Sequence, residues 1–368
     1  MAILATAILA AAPATHAADV TFPILVPLTG VLSIEGTSQR NGALLAVKQA
    51  PAGFTVAAPV SDTGQSPEVA VNAFEKAIGS GPVTAIGASM FGPQILALVP
   101  LGQESKLPLI TVSGTGKITE MGSPYIFRFF PADPVAKAAH ARYVVEMLGR
   151  KRVALIVQTT PYGQSGRPLL NENFKKLGAT VVFDEAIDTT VKDMLPLLSK
   201  ARQANPDVLV LHLHAPSTAL LIKQAAAMNL NLRSSPARRC TSPARGAARA
   251  RRAQGRVRRE RFVADLRRRS RDRRIPGAIP ASLQHRARRL RAGQYDGTMM
   301  VLDALAKGAA TGEAVAKALS SSSYKGVAMT YKSDGHGNMA HSAVILCYDG
   351  QTRLPKIVKH YDNIDGVL

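Results

Sequence analysis

Two short loops in the first third of the chain carry residue types suited to holding a small anion. Residues 89–92, SMFG, follow the apolar run 83–88, and residues 113–116, SGTG, follow the apolar run 107–112. Both loops offer hydroxyl groups and backbone N–H groups. The first also precedes Pro93, which suits the first turn of a helix. An N-terminal helical turn with free N–H groups favours a group such as a carboxylate.

The elements around these loops place them at one edge of a sheet. Short apolar runs alternate with helix-length segments along this part of the chain, which predicts parallel βαβ units and a doubly wound sheet. In such sheets ligands bind beyond the carboxyl ends of the strands. Neither loop contains a nucleophile beside a base. We therefore predict binding and no catalytic residue.

Residues 117–133 interrupt this alternation. The apolar segment YIFRFF is followed there by Pro131 and Pro134, which we interpret as a crossing between two lobes. A second series of strands and helices begins at residues 153–157. The predicted fold is therefore α/β, with two doubly wound lobes joined by a hinge. We assign residues 1–18 to a leader, 19–133 and 292–340 to the first lobe, and 134–291 and 341–368 to the second.

The leader resembles a secretory signal peptide. Residues 1–12 form an apolar run of small residues, and Thr15-His16-Ala17 resembles a small-x-small cleavage site. We expect cleavage near Ala17 or Ala18 and a periplasmic mature chain. A disordered alanine-rich leader is the alternative. No apolar run in the sequence reaches the roughly 18 residues that a membrane helix needs.

Two segments show helix-start signals. Ser66 is a typical N-cap and Pro67 suits the first helical position. Asp133 is expected to cap the helix predicted over residues 135–149. We expect the helix that follows Ser66 to bury Val69, Ala73 and Ile78.

Signals for a metal or a cofactor are weak. His212 and His214 alternate with leucine in a predicted strand, where structural histidines are more common than ligands, and no third ligand lies at suitable spacing. Gly114 and Gly116 lack the third glycine of a dinucleotide fingerprint. The two cysteines give no disulfide framework. We predict no metal and no cofactor.

The net charge of +21 comes from one segment. Residues 233–291 hold 21 arginines, no lysine and three acidic residues, a net charge of +18, whereas the other 309 residues carry a net charge of +3. Such composition is typical of GC-rich codons translated out of frame. Our hypothesis is a pair of compensating frameshifts near residues 233 and 292, and we expect the segment to lack regular structure. An arginine-rich arm for RNA or anionic lipid, or a solvated loop, are the alternatives.

An ordered set of motifs resembles one protein family. PLTG at residues 27–30, Gly36 and NGALLA at residues 41–46 look like the opening signature of the branched-chain amino-acid (Leu/Ile/Val) binding proteins, which are type I periplasmic binding proteins. The resemblance covers residues 19–232 and 293–360. Further motifs follow in the family's order: Asp62 with Pro67 and Ala70, Ile86-Gly87, Gly92-Pro93, Pro108-Leu109-Ile110, Ser113-Gly114-Thr115, Phe127-Arg128, Tyr162-Gly163, Gln294-Tyr295-Asp296 and residues 335–338.

This resemblance implies an amino-acid pocket in a cleft between the lobes. The family's usual Ser-rich stretch is replaced by MFGP at residues 90–93, and Thr159 stands where the family often has Asp. The acidic partner of a ligand ammonium is expected after residue 232, and we find none in the Arg-rich segment. The positions carried over as ligand-binding are Ser89, Phe91, Gly92, Ser113, Gly114 and Thr115 in the first lobe, with Tyr162 and His214 (or its neighbour Ala215) in the second.

The implied function is that of an extracytoplasmic solute-binding protein of an ABC importer. We expect a monomer that closes by hinge motion over an amino acid or a related carboxylate or amide, and whose closed form is recognised by membrane permease subunits. An enzyme on the same scaffold is disfavoured because no catalytic constellation is evident. A ligand-sensing regulator of the same fold is an alternative. Nucleic acid is not an expected partner unless the Arg-rich segment is genuine.

Overall fold

The computed structural model describes residues 18–228, 281–347 and 356–367. Its first part alternates short strands with helices, as the sequence predicts. In chain order the elements are β1 (Ala18–Thr21), β2 (Ile24–Val26), α1 (Ser33–Val47), β3 (Phe54–Ala57), β4 (Val60–Asp62), α2 (Pro67–Ile78), β5 (Ile86–Ala88), α3 (Gly92–Glu104), β6 (Leu109–Thr111), α4 (Lys117–Glu120) and β7 (Ile126–Arg128).

Five of these strands form a parallel sheet in the order β4-β2-β5-β6-β7, and β1 pairs in parallel with β3. The sheet is buried on both faces. In β2, Leu25 belongs to an apolar cluster with Phe74 of α2, whereas Ile24 and Val26 belong to a second cluster with Ala43 of α1. Successive side chains of a strand point to opposite faces. This confirms the predicted doubly wound sheet, which forms the first lobe.

The second lobe is built on a three-stranded parallel sheet in the order β10-β8-β9. The predicted α/β fold with two parallel-sheet lobes is therefore confirmed. The elements here are α5 (Asp133–Arg142), a π-helical turn (Tyr143–Met147), β8 (Arg152–Gln158), α6 (Pro161–Lys176), β9 (Thr180–Ile187), α7 (Leu195–Gln203), β10 (Val208–His212) and α8 (Ala215–Ala227).

The C-terminal part of the chain contacts both lobes. Leu290 and Val301 are buried in the same cluster as Ala43 of the first lobe, and Ala343 packs with Ala139 of the second. The predicted lobe assignment, with its boundaries, stays a prediction. The elements are α9 (Ala281–Ala306), α10 (Gly312–Ser321), β11 (Ser323–Lys325), β12 (Thr330–Lys332), β13 (Ala343–Cys347) and β14 (Lys356–Tyr361).

Helix α9 begins inside the Arg-rich segment. We predicted no regular structure over residues 233–291, yet residues 281–291 are helical. Leu290 is only 1% exposed. It packs with Ala43 of α1, four residues before the helical pattern of the sequence resumes at Gln294. Residues 229–280 and the predicted signal peptide through residue 17 lie outside the described residues, so the frameshift stays a hypothesis. Within the described ranges, no helix is both long and apolar enough to cross a membrane.

Two predicted strands are each divided in two. The runs at residues 21–28 and 54–60 contain Pro23 and Pro59, which have no N–H to donate to a sheet. Hydrogen bonds continue beside the prolines, since Phe22 N–H donates to the Ala57 carbonyl and Ile24 N–H to the Pro59 carbonyl, both at 2.8 Å. The prolines therefore interrupt the strands without changing the direction of the chain.

Helix α2 starts where predicted but buries a different face. Ser66 is its N-cap, and its hydroxyl accepts a hydrogen bond from the Val69 N–H at 3.3 Å. Two of the three predicted buried positions were wrong, because Val69 is 44% and Ile78 is 38% exposed while Ala70 and Phe74 are buried. The third, Ala73, is partly buried against the same cluster. The larger Phe74 side chain fixes the face that meets the sheet.

Replacing Ser66 with alanine is expected to lower the free energy of unfolding by about 1 kcal/mol, because the Val69 N–H loses its partner. Urea denaturation measures this loss. Ser199→Ala is the matched control, since the Ser199 hydroxyl donates to the Leu195 carbonyl of its own helix at 2.9 Å. That change should stay within about 0.5 kcal/mol. Equal losses in the two variants would contradict the assigned cap.

Candidate functional site

The two predicted loops of the first lobe lie side by side. They follow β5 and β6, which are neighbours in the sheet and pair in parallel with Ile86 opposite Leu109. The Thr111 hydroxyl donates to the Ser89 carbonyl at 3.0 Å and so ties the two loops together. The prediction that both loops meet at the carboxyl edge of the sheet is confirmed.

Two buried glutamines, which sequence reasoning missed, hold the first loop. Gln39 of α1 donates to the Ala88 carbonyl at 2.7 Å and accepts from the Met90 N–H at 3.1 Å. Gln94 of α3 accepts from the Ser89 hydroxyl at 2.6 Å. Gln94 is a polar residue in an otherwise apolar segment, which equally describes an exposed position, and Gln39 lies in the polar stretch GTSQRNG, which gave no signal of burial.

The Ser89 hydroxyl is used inside the protein. Besides donating to Gln94, it accepts a hydrogen bond from the Phe91 N–H at 3.1 Å, and Ser89 is fully buried. Its contribution is to shape the turn that leads into α3. Its predicted contact with a ligand stays a prediction.

The second loop presents a buried hydroxyl. Thr115 is 1% exposed, and among the described residues its Oγ1 has no hydrogen-bond partner. Its N–H donates to the Ser113 hydroxyl at 3.4 Å. Thr115 Oγ1 lies only 2.7 Å from the place where a Cβ on Gly92 would be. The free hydroxyl therefore borders the first residue of α3.

An aromatic cluster faces these loops from the second lobe. The Tyr162 ring, in the first turn of α6, lies 4.0 Å from the His212 ring and stacks on His214 at 5.3 Å between centroids. His212 Nε2 is 2.8 Å from the Tyr162 carbonyl oxygen. His214 Nε2 is 2.9 Å from the Thr160 hydroxyl. These contacts orient the two predicted second-lobe residues, with His212 as the structural support that its strand position suggested.

The predicted residues of both lobes meet at one place. Phe91 packs edge-on against His214 at 5.9 Å between ring centroids. A Cβ on Gly114 would lie 3.1 Å from the Tyr162 ring, and one on Gly92 would lie 3.6 Å from the Tyr162 backbone nitrogen. The first turns of α3 and α6 therefore face each other across the cleft. Ser89 and Ser113 support the loops behind them.

A buried arginine fixes the second loop. Arg128 is fully buried and donates to the carbonyls of Gly114 at 3.3 Å and Gly116 at 3.2 Å, and to the Thr119 hydroxyl at 3.0 Å. Burial lowers the pKa of Arg128 to about 10, against the opposing effect of nearby carboxylates including Asp133. The guanidinium is therefore still protonated at neutral pH and holds both carbonyls.

Asp133 does not cap its helix as predicted. It is the first residue of α5, whose N-cap position is Ala132. Its carboxylate is buried and pairs with Lys137 Nζ at 3.1 Å, and it accepts a hydrogen bond from the Ser165 hydroxyl. The carboxylate thus bonds to Lys137 one turn along the same helix and to Ser165 of α6, and these contacts replace the local cap.

The arrangement provides donors and aromatic surfaces. Across the described part of the chain, no group of three or more His, Cys, Asp or Glu side chains is placed to hold a metal ion. Neither helix facing the cleft has a side-chain N-cap hydrogen bond, since Phe91 cannot form one and the Thr160 hydroxyl contacts His214. Uncapped first turns and a free hydroxyl suit an anion. The rings suit an apolar or aromatic group next to it.

Two parallel-sheet lobes that meet over a cleft of this kind define the class of two-lobed solute-binding folds. The sequence profile of the periplasmic binding protein family matches residues 19–351. The chain belongs to that family, in the type I group that contains the branched-chain amino-acid binding proteins. The expectation drawn from the sequence motifs is thereby confirmed.

Curated relatives are similar over part of their length. The Leu/Ile/Val-binding protein BraC3 of Rhizobium johnstonii is 27% identical over 221 residues, which are 59% of this chain and 60% of that protein. The leucine-, isoleucine-, valine-, threonine- and alanine-binding protein of Pseudomonas aeruginosa is 24% identical over 213 residues, which are 56% and 57% of the two chains. The chain thus spans about three fifths of the length of the curated relatives it matches.

Solved structures share the fold over nearly the whole chain. A leucine-binding protein, LivK, of Thermotoga maritima has a TM-score of 0.72 and 22% identity, covering 94% of this chain and 99% of its own. A solute-binding protein of an ABC transporter from Rhodopseudomonas palustris BisB5, in complex with 3,4-dihydroxybenzoic acid, has a TM-score of 0.71 and 20% identity, covering 94% and 98%. At this identity the likeness concerns the fold.

Proposed function

We propose that this chain binds a small organic carboxylate, an amino acid or a related acid, between its two lobes, and that it does so as the solute-binding protein of an ABC importer. The main support for this proposal is the unpartnered hydroxyl of Thr115. It is buried and without a partner among the described residues, and it lies beside the uncapped first turn of α3, opposite Tyr162. A buried hydroxyl without a partner costs free energy that a ligand acceptor would recover.

The names of similar proteins support the carboxylate. The curated relatives include Leu/Ile/Val-binding proteins, and similar folds were solved with 3,4-dihydroxybenzoic acid and with 4-hydroxybenzoate. These compounds share a carboxylate attached to an apolar or aromatic body. That combination suits the facing helix N-termini and the Phe91, Tyr162 and His214 rings. L-Leucine and 4-hydroxybenzoate are therefore the two probes of choice.

The mechanism we propose is hinge closure. The solute docks on the first-lobe loops, and the second lobe then brings Tyr162 and His214 over it, so that buried polar groups are satisfied only by a suitable solute. Permease subunits of the importer would recognise the closed form of a monomeric, periplasmic chain. Titration calorimetry of the chain with both probes tests this function. Absence of binding to a panel of amino acids and aromatic acids would overturn it.

Replacing Thr115 with valine is expected to weaken binding of the probe solute by about tenfold, the loss of one buried hydrogen bond. The same change should leave the free energy of unfolding unchanged or raise it, because it removes an unsatisfied buried hydroxyl. If Thr115 had a purely structural role, the substitution would instead lower the free energy of unfolding and leave the affinity unchanged. Calorimetry measures the first effect and urea denaturation the second.

Thr84→Val is the matched control. Thr84 is 8% exposed, and its Oγ1 likewise has no hydrogen-bond partner among the described residues. It lies just before β5, at the strand end opposite the candidate site. Thr84→Val should leave the free energy of unfolding unchanged or raise it, as Thr115→Val does, and it should leave the affinity for the probe solute unchanged. Equal losses of affinity in both variants would remove Thr115 from the proposed site.

A further inference from the structure

Ser165 lies where the two lobes touch. It is in α6 of the second lobe, one turn after Tyr162. Its hydroxyl donates to the Asp133 carboxylate, lies 3.1 Å from the Tyr162 carbonyl oxygen, and accepts a hydrogen bond from the Gly116 N–H of the first lobe at 3.4 Å. One hydroxyl therefore connects the lobes directly.

The charge behind Ser165 strengthens this contact. Asp133 is 1% and Lys137 is 7% exposed, with 3.1 Å between Lys137 Nζ and Asp133 Oδ1. A hydroxyl that donates to a carboxylate is polarised and becomes a better acceptor for a further N–H group. Lys137 balances the buried carboxylate, so its charge is not left uncompensated. The pair thus supports the hydroxyl from within the second lobe.

The Gly116–Ser165 contact involves the same loop as Thr115, whose hydroxyl is proposed to bind the solute. Arg128 holds the carbonyls of Gly114 and Gly116 from within the first lobe. Thr115 lies between these two glycines. The Gly116 peptide is therefore fixed by Arg128 at its carbonyl and by Ser165 at its N–H. Because Gly116 directly follows Thr115, a shift of the Thr115 loop would also move the Gly116 N–H relative to Ser165.

We infer that Ser165 is a positioning residue that couples solute binding to closure of the lobes, an inference that rests on the proposed function. The Gly116–Ser165 hydrogen bond holds the closed form once the solute has ordered the Thr115 loop. Its length of 3.4 Å exceeds the roughly 2.7–3.2 Å usual for N–H···O bonds.

The distance between the lobes tests this coupling in the full-length chain. Spin labels at Lys76→Cys on α2 and Lys175→Cys on α6, both exposed positions, report it by pulsed electron resonance, with Cys240 and Cys347 replaced by serine. Measurements are made alone and with L-leucine or 4-hydroxybenzoate. Ser165→Ala should shift the closed-to-open ratio towards open by about tenfold, equivalent to about 1.4 kcal/mol. Ser199→Ala, which removes a hydroxyl bonded within α7, should leave the ratio unchanged.

A pair of substitutions at Gly116 tests the other end of the contact. Gly116 has a φ of −56°, which proline adopts, and a Cβ there would make an ordinary contact of 3.6 Å with Ser165. Gly116→Pro is made in the Ser165→Ala background, because a proline ring would otherwise collide with the Ser165 hydroxyl that the Gly116 N–H now faces. Without its acceptor the N–H has nothing to lose, so the added proline should not shift the ratio further. Gly116→Ala keeps the N–H and should behave as wild type. This comparison also separates loss of the hydrogen bond from a general effect of substitution.

The outcomes separate this inference from the proposed function. Wild-type closure in Ser165→Ala, or a further shift of the ratio when Gly116→Pro is added to it, would overturn the coupling. The coupling would also be overturned if the lobes of the wild-type chain stay apart both without solute and with either solute, because the Gly116–Ser165 hydrogen bond then does not form. If calorimetry finds no solute bound by the wild-type chain, the proposed function fails. The closed-to-open ratios of the solute-free variants still decide whether Ser165 holds the lobes together.

Discussion

Replacing Arg128 with methionine is expected to lower the free energy of unfolding by about 3 kcal/mol or more. Methionine fills much of the volume but donates no hydrogen bond. The carbonyls of Gly114 and Gly116 would then be left without their donor in a buried part of the first lobe. Each buried polar group without a partner costs about 1–3 kcal/mol. Urea denaturation followed by circular dichroism measures the loss.

Arg142→Met is the control for this prediction. Arg142 pairs with Glu146 at 3.2 Å on the surface, where both side chains are more than 40% exposed. Exposed pairs contribute at most about 1 kcal/mol. Arg128→Lys adds a second comparison, because lysine keeps the charge but lacks the planar fork that serves both carbonyls. A loss in Arg128→Met no larger than that in Arg142→Met would contradict the structural role given to Arg128.

Replacing Gly163 with alanine is expected to weaken binding of L-leucine or 4-hydroxybenzoate by at least about 100-fold. A Cβ on Gly163 would lie 1.8 Å from the Gln158 carbonyl oxygen, a contact that cannot exist. The first turn of α6 must therefore move away from β8, and Tyr162 moves with it. Overpacking of this kind also destabilises the fold by about 1–3 kcal/mol. Calorimetry and urea denaturation measure the two effects.

Gly79→Ala is the matched glycine control. Gly79 ends α2 with a φ of −74°, and a Cβ there would lie 3.4 Å from the Glu75 carbonyl oxygen, an ordinary contact. Its effect on stability should stay within about 0.5 kcal/mol, with no change in affinity. Wild-type affinity in Gly163→Ala would mean that the position of the α6 first turn does not matter for binding.

Local sequence determined the secondary structure where one feature dominated. The apolar runs before the two first-lobe loops form β5 and β6, and Ser66-Pro67 starts α2 as expected. These outcomes depend on interactions between residues a few positions apart, namely a cap, a proline φ and a short apolar run. The secondary structure that such local features favour can be predicted without knowing how the rest of the chain folds.

Tertiary contacts decided the faces and ends of several elements. In α2, Val69 and Ile78 are as apolar as the residues that became buried, but Phe74 offers more surface to the sheet. At the start of α9, Leu290 packs in the cluster of Ala43, so the helix extends into sequence with no helical period. Helical periodicity alone does not choose between adjacent apolar faces.

For the site, the sequence motifs named Phe91, Thr115, Tyr162 and His214, which the structure brings close together. They could not name the polar residues that position them. Gln39 and Met90 are 51 residues apart, and Gly116 and Ser165 are 49 apart. From the sequence alone, each of these polar groups could equally well be exposed to water. Only folding, which removes water from both partners at once, pairs them, since a buried polar group must find a partner within the protein.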